Sequence, residues 1–184
     1  SVHAVRWPVL PGVHGGGLLL RPTGTIRARV VAIPDADQTP EQLAGLAAGI
    51  EPHSQFARRL CAAGCDVVIP VLINRSDEFS GNARVRFTNQ PHREFLYRQA
   101  FEMGRHVIGS EVQKVLAAVD LVSRFDGGRL KSLPIGIAGV GEGGLLALHS
   151  SALDPRIAST LVCGYFDQRE AIWREPIYPN VFGL

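Results

Sequence analysis

The sequence predicts an α/β domain built on a mostly parallel sheet with helices on both faces. Three observations carry this prediction. Short apolar runs of strand length recur at 29–33, 66–73 and 134–140, and a fourth strand-length segment follows at 158–165. Helical patterns separate them, and the third run passes through a glycine-rich turn directly into a helix. Strands covered on both faces need no polar alternation, so unbroken apolar runs fit a sheet packed between two helical layers.

In chain order, Val5 to Val9 and Gly17 to Arg21 flank a Pro11-Gly12 turn signal and predict a β-hairpin. The run at 29–33, closed by Pro34-Asp35, predicts the first buried strand. Residues 55–63 predict a helix, with Phe56 and Leu60 four apart and Gly64 as its stop. The second buried strand spans 66–73, and the polar stretch 74–91 predicts a loop over one end of the sheet. Across 94–124, Leu96, Ala100, Met103, Val107, Val112, Val115, Val119 and Val122 form one apolar stripe, with Gly104 and Gly109 as points of kinking or redirection. Strand 134–140, helix 143–152 and strand 158–165 complete the alternation. There are no repeats or linkers, so residues 1–184 read as one domain.

Composition narrows the function classes. The net charge is +2, and Arg58, Arg59, Arg84, Arg86 and Arg93 are scattered without interleaved aromatics, which gives no nucleic-acid stripe and predicts solvated faces. No apolar run reaches 18 residues, so no membrane partner is expected. The chain opens without an initiator Met or a signal-peptide pattern, as a mature form, a trimmed chain or an internal fragment would. Cys61, Cys65 and Cys163 read as small apolar side chains, too few for a metal set, and no cofactor is expected. Asn74-Arg75-Ser76 has sequon spacing, a pattern common by chance.

One motif carries chemistry. Gly139-Val140-Gly141-Glu142-Gly143-Gly144 lies between a buried strand and a helix. It fits a nucleophile elbow with Glu142 in the serine's place, where small neighbours permit a strained turn. It equally fits the dinucleotide fingerprint through Gly139, Gly141 and Gly144, with Asp167 placed for a ribose. These six residues alone do not choose between them. Asp35 and Asp37 form a D-x-D that could bind a divalent cation or cap the following segment.

The order of elements around that motif resembles the first six strands of the α/β-hydrolase superfamily. More narrowly, Ala32-Ile33-Pro34-Asp35-Ala36-Asp37-Gln38-Thr39-Pro40 and Gly141-Glu142-Gly143-Gly144-Leu145 resemble bacterial proteins related to acetyl xylan esterases and dienelactone hydrolases. The resemblance implies a three-layer sandwich, incomplete at its C-terminal end, and an oxyanion hole formed by the N–H of Gly143 and one near Asp35 or Ala36. It also implies an acid and a His after later strands. The one His beyond the elbow, His149, sits on the elbow helix and is expected to be a surface or packed side chain, so a triad would need a missing C-terminal half or another chain. The substrate implied is a small or carbohydrate-linked ester, and the setting an exported bacterial protein.

At such an elbow a Glu is expected to be ionised, its proton affinity lowered by backbone donors and a helix N-terminus, and to fold into the oxyanion hole. Three readings stay open. One is a weak or inactive hydrolase-like domain; another is a hydrolase using Glu142 as nucleophile or base; the third is a dinucleotide-binding domain.

Overall fold

The computed structural model describes residues 1–78, 84, 90–124, 133–165, 168, 170 and 174. The hairpin forms as β1 (Val2–Leu10) and β2 (Val13–Leu20), antiparallel. Then come β3 (Ala28–Ile33), α1 (Pro40–Leu43), a 3-10 turn (Pro52–Ser54), α2 (Phe56–Ala62) and β4 (Cys65–Pro70). They are followed by α3 (His92–Glu102), α4 (Val107–Arg124), β5 (Ile135–Val140), α5 (Glu142–Leu153) and β6 (Ile157–Cys163). The sheet order is β1-β2-β4-β3-β5-β6. β2 meets β4 antiparallel, and β4, β3, β5 and β6 are parallel neighbours.

The period of two along the strands distributes the core to two faces. Val31, Ile33 and Val68 pack with Val112, Val115, Val119 and Val122 of α4 and Leu145 and Leu146 of α5. Val30, Ala32, Val67 and Ile69 pack on the other face with Leu43, Ala57 and the half-buried Phe56 and Leu60 from α1 and α2. The expected helices on both faces of a mostly parallel sheet are therefore present. Arg29, fully buried at the start of β3, donates from Nη1 to the Val122 carbonyl at 2.5 Å, placing a cation at the C-terminal end of α4.

Three expectations are corrected. The long helical stripe is two helices, separated at Gly104, whose φ of 68° turns the chain, whereas Gly109 lies inside α4 and interrupts nothing. The stripe holds along α4 only: Leu96 and Met103 are exposed on or beside α3. Arg93, expected on a solvated face, is instead the fully buried residue of α3. Its cationic head sits inside the protein because two carboxylates meet it there, as described below. Short α1 had no periodicity to reveal it. A Thr39–Gln42 capping box and Pro40 in its first turn set its start, so Asp35 and Asp37 are not its caps.

Candidate functional site

β5 ends at Val140 and α5 begins at Glu142, so one residue makes the whole strand-to-helix turn. That residue, Gly141, has φ 58° and ψ −121°, a conformation strained for any residue with a Cβ. Its N–H donates to the Cys163 carbonyl of β6 at 2.9 Å, and its carbonyl accepts from the N–H groups of Gly144 and Leu145. Gly143 has no room for a side chain, since a Cβ there would strike the carbonyl oxygens of Ile33 and Pro34. The small residues thus let the first turn of α5 press against the end of β3. Glu142, expected at the centre of the elbow, stands one residue past the strained position, as the first residue of the helix.

The loop after β3 reaches this turn with a carboxylate. Oδ1 of Asp35 accepts from the backbone N–H of Glu142 at 2.9 Å and from that of Ala36, also at 2.9 Å. A Cβ built on Gly141 would lie 2.8 Å from Cγ and Oδ1 of Asp35. The N–H groups that converge are therefore those of Glu142 and Ala36. The N–H of Asp35 itself donates to Oε1 of Gln38 at 3.3 Å. Gly143, the other expected donor, is the second, buried residue of α5.

The Glu142 carboxylate turns the other way, into a run of alternating charge. Oε1 accepts from Arg93 Nη2 at 2.5 Å, and Oε2 lies 3.7 Å from Arg75 Nη2. Arg93 continues inward, with Nη1 donating to the Ile73 carbonyl at 3.0 Å and to Glu111 Oε1 at 3.4 Å. Glu111, buried on α4, also accepts from the Ile73 N–H at 2.7 Å and pairs with Lys114. Arg75 continues outward to Asp37 Oδ2 at 3.1 Å, which accounts for the second acid of the D-x-D.

Burial pushes the Glu142 carboxyl above its ordinary value, against the opposing pull of Arg93 and Arg75. The expected lowering is thus reversed: the carboxylate is away from the backbone donors and pays desolvation instead. A folded value above the unfolded one means that the native state holds this proton more tightly. The stabilising contribution is fully present below about pH 4.3 and is lost as pH rises through the folded value. Urea unfolding across that range should therefore show a falling limb that Glu142→Gln flattens. An equal slope in the variant would overturn the assignment.

His149 is exposed on α5, as expected. Asp167 lies outside the described residues. Among the described residues no group of three or more His, Cys, Asp or Glu is placed to hold a metal ion, and no helix is long and apolar enough to cross a membrane. A cleft of about 300 Å³ opens beside the site, lined by Ala36, Asp37, Gln38, Pro40, Leu72 and Asn74 among others. Sequence reasoning missed Arg75, Arg93 and Glu111. Their signal was weak: three charged side chains in or near a stretch without periodicity, or inside an apolar stripe.

No family model and no curated protein matches this sequence. Solved structures do. A candidate acetyl xylan esterase from Bacteroides fragilis aligns with a TM-score of 0.65 and 19% identity, over 86% of this chain and 43% of that one. The fold is α/β-hydrolase-like. A dienelactone hydrolase from Anabaena variabilis aligns with a TM-score of 0.53 and 18% identity, over 87% of this chain and 61% of its own. A cold-adapted esterase from an Arctic intertidal metagenomic library aligns at 0.53 and 16%, over 88% and 57%. This α/β-hydrolase-like chain thus spans roughly half the length of the structures it matches.

Proposed function

We propose that this chain is an α/β-hydrolase-like domain that does not carry out serine-type ester hydrolysis. The observation behind this reading is the backbone of Gly141. A nucleophile elbow places its reactive side chain on the strained residue of the strand-to-helix turn, and here that residue is a glycine. On this reading the reactive position is 141, not Glu142, and it offers no nucleophile. Glu142 becomes a structural acid paired with Arg93. The neighbouring hydrolases and esterases supply the reaction class against which the loss is defined, an ester of small or carbohydrate-linked type.

Two features speak against the other readings. A carboxylate nucleophile needs a free oxygen facing substrate, and both oxygens of Glu142 face arginines in a side chain 4% exposed. A pyrophosphate on the Gly139-x-Gly141-x-x-Gly144 turn needs the amides at the start of α5, where Asp35 already stands.

The test is the hydrolysis of 4-nitrophenyl acetate by the unmodified chain and by Glu142→Ala. Both are expected to stay at the buffer rate. Saturable turnover that disappears in Glu142→Ala would establish the Glu-dependent hydrolase in its place. Quenching of Trp fluorescence by NADH would establish the nucleotide binder.

A further inference from the structure

Asp35 makes an arrangement that a solvated loop carboxylate has no need to make. One of its oxygens takes two backbone N–H groups from different segments, the loop after β3 and the first turn of α5, each at 2.9 Å. The guanidinium of Arg75 lies 3.9 Å from the same oxygen. Cγ and both oxygens fill the space beside Gly141 where a side chain on the elbow would begin, at 2.8 to 3.1 Å from a Cβ position. Two converging N–H groups, a helix N-terminus and an adjacent cation favour a negative oxygen.

We infer that Glu142 N–H, Ala36 N–H and Arg75 form a carboxylate-binding site whose resident ligand is the chain's own Asp35, an intramolecular contact that closes the elbow to external carboxylates. The inference deepens the reading of Gly141 as the elbow position and rests on it, because a side chain at 141 would leave Asp35 no room. The contact is intramolecular, so its effective concentration exceeds that of a free ligand. A competing small carboxylate enters only when Asp35 is withdrawn.

The geometry fixes the probe. Asp35→Gly deletes –CH2–COO⁻, the volume and charge of acetate, whereas Asp35→Ala deletes the carboxylate alone, the equivalent of formate. Amide proton–nitrogen correlation spectra of Asp35→Gly, titrated with sodium acetate against sodium chloride at matched ionic strength, read the site directly. The Glu142 and Ala36 cross-peaks are expected to move together and saturably toward their wild-type positions, and to do so with formate in Asp35→Ala. The wild-type cross-peaks should stay in place under both salts.

A folded variant in which either amide fails to respond would overturn the inference. So would wild-type amides that respond as strongly as those of the variant. If neither truncation folds, Asp35→Asn keeps the side-chain length and one acceptor oxygen. Both amides must then shift from their wild-type positions, and an unmoved pair also overturns it. The esterase assay of the unmodified chain tests Gly141 and this titration tests Asp35, so either can fail without the other.

Discussion

Arg93→Met is expected to lower the free energy of unfolding by about 3–5 kcal/mol, the range for removing one partner of a buried ion pair. Arg93 is fully buried, and it stands between two carboxylates whose side chains are 0% and 4% exposed, Glu111 and Glu142. The loss would come less from the Coulomb attraction than from two buried acids left with only the part-exposed Lys114 and Arg75 as counter-charges. Methionine keeps most of the volume, so a cavity contributes little. Guanidinium chloride unfolding measures the effect, and Arg98→Met is the control. That arginine is on the same helix and pairs with Glu94, but its side chain is 58% exposed, so its loss should stay within about 1 kcal/mol. Adding Glu142→Gln to Arg93→Met should recover part of the deficit, because a neutral amide costs less to bury. Equal effects of the two arginine variants would sink the argument, since Arg93 would then be no more than another surface charge.

The fold was legible because its determinants are periodic. Apolar runs at 29–33, 66–73 and 134–140 became the buried β3, β4 and β5, and the segment 158–165, with Ser159 and Thr160 in it, became the more exposed β6, all with ends displaced by a few residues. The valine stripe of α4 is buried as its spacing required. What periodicity could not show was the split between α3 and α4, because Gly104 and Gly109 carry the same local signal. Tertiary packing decides which of them turns the chain. The strand-to-helix turn was legible in the sequence, but the residue that carries its strained backbone was not the one read as its centre. In Gly139-Val140-Gly141-Glu142-Gly143-Gly144, Glu142 drew the reading because it has a functional group. The conformational demand falls on Gly141 because a glycine tolerates it. The charged partners were hidden for another reason. Arg75 and Arg93 lie 67 and 49 residues before Glu142, and only the tertiary fold, with α3 packed on α4, brings them to it.

Gly141→Ser, which restores the side chain expected of a hydrolase elbow, should cost about 3 kcal/mol and produce no esterase. Part of the cost, about 1–3 kcal/mol, comes from forcing an L side chain into φ 58°, ψ −121°. The remainder comes from Asp35, because the new Cβ would lie 2.8 Å from its Cγ and Oδ1. To make room, the carboxylate must give up at least one of its two N–H donors, and a hydrogen bond to a charged group is worth about 1.5–3 kcal/mol, the low end applying to a side chain about a third exposed. These two contributions separate in a double-mutant cycle. In an Asp35→Gly background the clash is absent and only backbone strain remains, so Gly141→Ser should cost less there by about 1–2 kcal/mol. Additive effects would mean that Asp35 does not feel residue 141, and the contact at the elbow would lose its structural basis. Coupling of the expected sign would mean that the vacant nucleophile position and the occupying carboxylate are one device. A hydroxyl at 141 would then be insufficient for catalysis on steric grounds, before any question of an acid or a histidine arises.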